Sequence, residues 1–178
     1  MAGESDRALP LPIFDPAPRV LIVASPYYGD IAAALESGAR KTLALTQASV
    51  DLIAVPGALE IPGAIQAARD SFDGFVALGC VIRGETSHFD IVAGESARGL
   101  MALNLSGLAV GNGILTVENL DQALVRARDL DKGGGAAEAA LHLIAAARRF
   151  KSPGAERAPV STPDIQIAGA PSDSTGRA

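Results

Sequence analysis

The stretch that decides the fold is Phe75-Val-Ala-Leu-Gly-Cys-Val-Ile82, followed directly by Arg83-Gly-Glu-Thr-Ser-His-Phe-Asp90. Its first half is a continuous apolar run, which is typical of a strand buried on both faces of a parallel sheet. In its second half, Ser87 and Asp90 have the spacing of a capping box, so a helix is predicted to begin at about His88. The stretch therefore predicts one strand–turn–helix unit of an α/β protein.

Similar units lie on both sides of this stretch. The predicted strands are 19–24, 49–55, 75–82 and 108–115, and the predicted helices lie at 31–38, 63–69, 88–105 and 119–127 and after residue 135. Strands that alternate with helices predict a four-stranded parallel sheet covered by helices on both faces. Gly133-Gly-Gly135 is predicted to break the chain before the last helix. Ligands of such sheets bind beyond the carboxyl ends of the strands, so the site is expected there.

Proline marks the limits of the folded region. Eight of the 11 prolines lie in residues 1–18 or after residue 151, and only Pro26, Pro56 and Pro62 fall between. Segments rich in Pro, Ser, Gly and Ala bury too little apolar surface to offset the entropy lost on ordering. We therefore predict an N-terminal arm at 1–18 that is loose or extended along a neighbour, one domain at 19–150, and a disordered tail at 151–178.

Composition narrows the class of protein. The chain has 178 residues, of which 48% are apolar and 20% are charged, so a disordered or fibrous chain is excluded. No apolar run reaches the roughly 18 residues that a membrane span needs. The one cysteine, Cys80, excludes a disulfide framework and a cysteine-based zinc site. A net charge of −5 is not that of a general nucleic-acid binder, which carries an excess of positive charge. A cytoplasmic protein that binds neither membrane nor nucleic acid is expected.

Two of the predicted strand ends carry side chains suited to a flat ligand. Ser25-Pro-Tyr-Tyr28 holds the chain's two tyrosines, which either stack on a heterocycle or cover the rim of a neighbouring helix. After the next strand, Glu60 stands between Pro56 and Pro62, near the start of a helix. Glu60 is either a helix-capping acid or a ligand group in a rigid loop.

The third strand end is the most informative. Gly84, Glu85 and Thr86 offer backbone N–H groups at a strand-to-helix turn, an arrangement that binds anions. His88, in the first helical turn, lies within reach of whatever binds there, and an imidazole changes its protonation near neutral pH. Together with Arg83, these residues predict a site for an anion and a proton carrier. The alternative is that His88 is a surface histidine and that Thr86 is only a helix cap.

Four blocks carry a resemblance to a known family. They are Pro56-Gly-Ala-Leu-Glu-Ile-Pro62, Val81-Ile-Arg-Gly-Glu-Thr-Ser-His-Phe-Asp90, Gly113-Ile-Leu-Thr116 and Asp121-Gln-Ala-Leu-Val-Arg-Ala127. In order and spacing the chain resembles the 6,7-dimethyl-8-ribityllumazine synthase family from about residue 19 to residue 150. The resemblance implies a flavodoxin-like three-layer sandwich, which agrees with the alternating strands and helices.

The resemblance also implies a reaction, the penultimate step of riboflavin biosynthesis. Members of this family condense 5-amino-6-(D-ribitylamino)uracil with 3,4-dihydroxy-2-butanone 4-phosphate and release phosphate and water. They use neither a metal ion nor a cofactor, so proton transfer and positioning supply the catalysis. One alternative of a different class stays open, a non-catalytic protein on the same scaffold that binds a flavin or a lumazine. His88 argues against it, because a pure binder needs no proton carrier.

Individual roles follow from the same resemblance. His88 corresponds to the family's proton-transfer histidine, and Glu85 and Thr86 correspond to the turn that binds the butanone phosphate. Tyr27 corresponds to an aromatic residue that stacks on the pyrimidine. The ribitylaminouracil is expected to be held by two segments, Ala58, Leu59 and Glu60, and Cys80, Val81 and Ile82.

Three further residues are implied to reach the site from an adjacent subunit of a homo-oligomer. Arg126 corresponds to a phosphate-binding arginine, with Arg128 as its competitor, because the loop before the last helix is shorter than usual. Lys132 corresponds to a lysine near the site, and Asn112 stands where many members carry a phenylalanine. A free ring of five subunits is favoured over a closed shell of twelve such rings, because the stretch 128–133 is shorter and more acidic than the family's usual kink.

Overall fold

The computed structural model describes residues 9–151, in which strands and helices alternate along the chain. The elements are β1 (Arg19–Ala24), α1 (Gly29–Ala44), β2 (Ser49–Ala54), α2 (Ile61–Ala67), β3 (Gly74–Ile82), α3 (His88–Leu105), β4 (Val110–Val117), α4 (Leu120–Leu124) and α5 (Lys132–Lys151). A 3₁₀ turn at Ala58–Glu60 precedes α2, and a π-helical turn at Val125–Asp129 follows α4. None of these helices is long and apolar enough to cross a lipid bilayer.

The four strands form one parallel sheet in the order β2-β1-β3-β4. Alternate residues of the central strands enter two separate cores, which explains why β1 and β3 are apolar throughout. Val20 and Ile22 face a core formed with α1 and α5, whereas Leu21 and Val23 face a core formed with α2 and α3. The predicted three-layer, flavodoxin-like α/β fold is therefore confirmed.

The predicted break at Gly133-Gly-Gly135 is wrong, because α5 begins at Lys132 and runs through all three glycines. A Cβ atom on Gly133 would lie 2.0 Å from the carbonyl oxygen of Leu35 in α1. The side chain of Asp131 closes the start of the helix, since its Oδ1 accepts a hydrogen bond from the N–H of Gly134 at 3.0 Å. Gly133 is therefore required for the close approach of α1 and α5 and not for a turn.

Replacing Gly133 by alanine is expected to destabilise the protein by about 1–3 kcal/mol. The new methyl group would clash with backbone atoms of Leu35, which cannot move aside by a change of rotamer. Gly135 is the matched control, since a Cβ atom there meets nothing within 4 Å. Gly135→Ala should be neutral or stabilising by up to about 1 kcal/mol, the helix-propensity difference. Urea midpoints at one fixed protein concentration measure both effects, and equal midpoints would contradict the packing argument.

One predicted boundary moves, and one predicted cap is only partly formed, because side chains bond to the backbone. Strand β4 begins at Val110 and not at residue 108, since the amide of Asn104 exchanges two hydrogen bonds with the Val110 backbone, at 2.8 and 3.0 Å. Asn119 caps α4 through the N–H of Gln122, as predicted. The Gln122 side chain, however, accepts from the N–H of Glu118 and so does not complete the capping box.

Residues 9–18 of the N-terminal arm contact the chain's own core. Leu11 and Phe14 pack against the core on the α1/α5 face. Arg148 of α5 lies over the Phe14 ring at 5.3 Å and donates a hydrogen bond to the carbonyl of Pro16. This part of the arm is therefore packed on its own domain and is not loose. The rest of the predicted arm and the predicted tail from residue 152 lie outside the described residues, while Lys151 still belongs to α5.

Candidate active site

A cleft of about 450 Å³ opens beyond the carboxyl ends of β1, β2 and β3, where the sequence predicts it. Three loops and the first turns of α3 line it. Nine of the predicted site residues lie on its wall, namely Tyr27, Ala58, Leu59, Glu60, Cys80, Val81, Ile82, Thr86 and His88. The loops that follow three neighbouring strands have thus been brought to one place by the parallel sheet.

The start of α3 places His88 at the cleft. The helix begins at His88 as predicted, but the capping box is not formed, because Ser87 has a helical backbone and its side chain makes no capping hydrogen bond. The Thr86 hydroxyl accepts a long hydrogen bond of 3.4 Å from the N–H of His88. The N-terminus of an 18-residue helix therefore borders the cleft beside an exposed imidazole, which suits an anionic group.

Arg83 does not join Thr86 and His88 in the cleft. Its guanidinium lies 3.1 Å from the carboxylate of Asp90 and 3.1 Å from that of Glu118, and it covers the ring of Phe89 at 4.1 Å. Hydrogen bonds to Glu118 and then to Asp90 raise the pKa of Arg83. Asp90 is consequently the partner of Arg83 and not a cap of α3.

The two tyrosines differ in how much surface they leave free. Tyr27 is 75% exposed, whereas Tyr28 is partly buried against the α1/α5 core. Their ring centroids are 5.0 Å apart in an edge-to-face arrangement. Burial, followed by the neighbouring Tyr27 and Cys80, raises the pKa of Tyr28. The geometry leaves the Tyr27 ring accessible to a ligand, while the Tyr28 ring supports it from the side.

The loop after β2 is shaped by short-range contacts. Ala58 is buried, Leu59 is 40% exposed, and Glu60 immediately precedes α2 without capping it. The Glu60 carboxylate lies over Gly57, where a Cβ atom would be 2.8 Å from Oε2. Ser25, which is buried after β1, donates a hydrogen bond from its hydroxyl to the carbonyl of Pro56 at 3.3 Å. This bond ties the ends of β1 and β2 together under the cleft.

Cys80 lies half-buried in β3, and burial raises the pKa of its thiol to about 11. The thiol is therefore protonated at neutral pH, which removes it as a nucleophile. In β3, Val81 and Ile82 follow it at the strand end and are also only partly buried. This segment offers a wall and backbone groups, and no reactive side chain.

Alkylation of Cys80 by iodoacetamide should be about 100-fold slower in the folded protein than in urea at pH 8, because the thiolate is the reacting form and the pKa is raised by about two units. The rate in the folded state should keep rising up to about pH 11. The chain has one cysteine, so the mass increase reports this residue alone. Equal rates in both states at pH 8 would contradict the assignment.

Four predicted residues do not line the cleft of this chain, although all are described. Glu85 is exposed in the turn before α3, and Lys132 is exposed at the start of α5. Asn112 lies exposed on edge strand β4, where its Oδ1 accepts from the N–H of Ile114 at 2.9 Å. Arg126 donates a hydrogen bond to the carbonyl of Gln122 at 3.3 Å. Three of these, all except Glu85, are the residues implied to act across a subunit boundary.

Sequence reasoning gave no site role to Phe89, Val92 and Ser25, and it kept Tyr28 only as the second tyrosine of a candidate pair; the structure brings all four to the cleft. Phe89 and Val92 lie on the first turns of α3, close to His88 at helical spacing. Ser25 is a hydroxyl placed directly after a buried strand, and Tyr28 is adjacent to Tyr27. Within residues 9–151, no group of three or more His, Cys, Asp or Glu side chains is placed to hold a metal ion.

The chain is similar to proteins of one family along most of its length. The family described as 6,7-dimethyl-8-ribityllumazine synthase matches residues 17–148. A relative of that name from Jannaschia sp. strain CCS1 is 53% identical over 157 residues, covering 86% of this chain and 88% of the relative. Relatives of the same name from Novosphingobium aromaticivorans and Bartonella tribocorum are 57% and 58% identical, covering 74% and 75% of this chain and 98% and 92% of the relatives. Because the matched span contains every element around the cleft, the chain belongs to the 6,7-dimethyl-8-ribityllumazine synthase family.

Proposed function

We propose that the protein condenses 5-amino-6-(D-ribitylamino)uracil with 3,4-dihydroxy-2-butanone 4-phosphate to give 6,7-dimethyl-8-ribityllumazine, phosphate and water, the penultimate step of riboflavin biosynthesis. The observation that carries the proposal is the placement of His88. An exposed imidazole stands at the N-terminus of a long helix, on the wall of a cleft that also carries the Tyr27 ring and the Glu60 carboxylate. Such a site offers an anion position and a proton carrier side by side.

The cleft suggests where each substrate lies. The pyrimidine fits between the exposed Tyr27 ring and the end of β3, and the ribityl chain lies toward Glu60, whose carboxylate accepts hydrogen bonds from hydroxyl groups. The phosphate of the four-carbon sugar lies at the turn formed by Glu85 and Thr86, where the positive end of α3 attracts it. This arrangement holds the amine of one substrate near the ketone of the other.

The chemistry then requires positioning and proton transfer. The amine adds to the ketone and loses water to form an imine, phosphate leaves by elimination, and ring closure expels a second water. His88 accepts and returns protons at an imidazole nitrogen during these steps, while the turn before α3 stabilises the departing phosphate. Holding both reactants in one cleft replaces a bimolecular encounter by a reaction of bound groups.

We propose further that the active site is completed by an adjacent subunit. None of the described residues that line the cleft is an arginine or a lysine, although the proposed substrate carries a phosphate. Arg126 and Lys132 lie elsewhere on the chain and are the cations proposed to enter a neighbour's cleft. The outer face of α3 supports such assembly, because Ile91, Met101 and Leu105 are 55%, 58% and 82% exposed.

The assembly proposed is a free ring of five subunits, and light scattering on the purified protein should give a mass near five chains. Head-to-tail contacts that share a site generate a closed ring when the rotation closes. Only Leu130 and Asp131 separate the π-helical turn from α5, which supports a compact connection without the kink associated with shells. A mass near sixty chains would overturn the ring proposal and leave the enzyme assignment standing.

One assay tests the proposed activity against the non-catalytic alternative. Purified protein is mixed with both substrates, and formation of the fluorescent lumazine is followed above the uncatalysed rate. A binder without catalysis would take up lumazine or flavin but would not raise that rate.

We assign the activity to the domain at 19–150 and the location to the cytoplasm, since a phosphorylated substrate does not cross a bilayer unaided.

A further inference from the structure

A charged cluster sits directly behind the turn that precedes α3. This Arg83 cluster consists of Arg83, Phe89, Asp90 and Glu118. The guanidinium contacts both carboxylates at 3.1 Å and lies flat over the Phe89 ring. The backbone of Arg83 is anchored as well, because its N–H donates to the carbonyl of Val117 at 2.9 Å.

The position of the cluster connects it to the site. Arg83 lies between Ile82 and Gly84, which both line the cleft. Asp90 lies in the first turn of α3, two residues after His88, and Glu118 is the first residue beyond β4. One side chain therefore joins the ends of β3 and β4 to the start of α3, and the turn that carries Thr86 is enclosed between these anchors.

We infer that Arg83 is a positioning residue for the anion-binding turn and that it neutralises Asp90 and Glu118 without contacting the phosphate itself. The inference rests on the proposed function, because the anion concerned is the phosphate of the four-carbon sugar. Its guanidinium is held by two carboxylates and by the Phe89 ring, and Arg83 is not among the residues that line the cleft. Without it, two negative charges would stand unpaired beside the turn that has to receive a phosphate.

The expected effect lies in binding and not in folding. The Arg83 side chain is 40% exposed, and exposed ion pairs contribute little to stability. A change in local charge, in contrast, acts directly on a dianionic ligand at short range. Loss of Arg83 should therefore weaken phosphate binding and leave uracil binding almost unchanged, because the uracil carries no net charge for the two acids to repel.

The test compares Arg83→Gln, Arg83→Lys, Glu118→Gln and the double variant of Arg83→Gln with Glu118→Gln. Arg40→Gln is the matched control, because Arg40 also forms an exposed ion pair, with Glu36 on α1, away from the cleft. We expect Arg83→Gln to raise KM for the butanone phosphate about threefold to tenfold, with kcat and KM for the uracil within about twofold. Arg83→Lys should lie between wild type and Arg83→Gln, since it keeps the charge but loses the fork.

The double variant decides between positioning and direct contact. If Arg83 neutralises the acids, removing the Glu118 charge as well should recover a large part of the lost affinity. A double variant as weak as Arg83→Gln would mean that the guanidinium binds phosphate itself, and an unchanged KM in Arg83→Gln would remove any role; either result overturns the inference. Calorimetry with inorganic phosphate should rank the variants in the same order. Because it needs no turnover, an inactive wild type would reject the proposed function and still leave this comparison readable.

Discussion

His88→Ala is expected to lower kcat by about 10²–10⁴-fold, the usual contribution of a general acid–base group. The reason is that the imidazole stands at the N-terminus of α3 on the cleft wall, and the proposed mechanism assigns it the proton transfers and not the binding of the uracil. Steady-state kinetics with both substrates measure the effect. The uncatalysed condensation sets the floor of the measurable rate, since the two reagents react slowly by themselves.

The control for this variant is the affinity of the uracil, which should be nearly unchanged in His88→Ala. A matched substitution at the other histidine, His142→Ala on α5, removes an imidazole far from the cleft in the fold and should leave kcat near wild type. If His88→Ala kept its kcat and only its KM rose, the residue would be a binding group and the proposed role would be wrong.

Arg126→Ala is expected to raise KM for the butanone phosphate by about 10²-fold, because a guanidinium forms charge-assisted, two-point contacts with phosphate. In the single chain its one hydrogen bond is to a helix carbonyl, so the loss should not disturb the local fold. KM for the uracil should change far less. Kinetics with each substrate varied in turn measure the two constants.

Arg128→Ala run beside it decides which arginine has the role. Both residues lie in the π-helical turn Val125–Asp129, and Arg126 is partly buried whereas Arg128 is exposed. Because the connection to α5 is shorter than is usual in the family, both Arg126 and Arg128 are candidates for the family's phosphate-binding arginine. A larger rise in KM for Arg128→Ala than for Arg126→Ala would transfer the phosphate contact to Arg128.

The fold could be predicted where the signal is local. Strands β1 and β3 are buried on both faces and are therefore apolar without interruption, so their ends were placed to within one residue. The start of α3 at His88 was predicted correctly, although the capping box from which it was predicted is not formed. Because the sheet is parallel, placing the ends of β1, β2 and β3 was sufficient to place Tyr27, Glu60 and His88 at one cleft.

What the sequence could not disclose depends on contacts between distant segments. The run Gly133-Gly-Gly135 has the composition of a chain break. Only the approach of Leu35 from α1 explains why the helix needs glycine at position 133. Asp90 has the spacing of a cap, but Glu118, which is 35 residues from Arg83 along the chain, completes a cluster that draws Asp90 away from the helix end. Neither partner can be identified from neighbouring residues.

The absence of arginine and lysine from the described wall of the cleft has a consequence for inheritance. If each site joins the imidazole of one copy to the guanidinium of the next, a His88-defective copy and an Arg126-defective copy place both defects at one boundary when they stand in one order. When they stand in the reverse order, the boundary between them carries neither defect. Mixed rings made from two such alleles would then contain intact boundaries, so two null alleles would complement each other. A copy that carries both defects would inactivate the site on each of its two sides. The allele that encodes such a copy would therefore act dominantly over the normal gene.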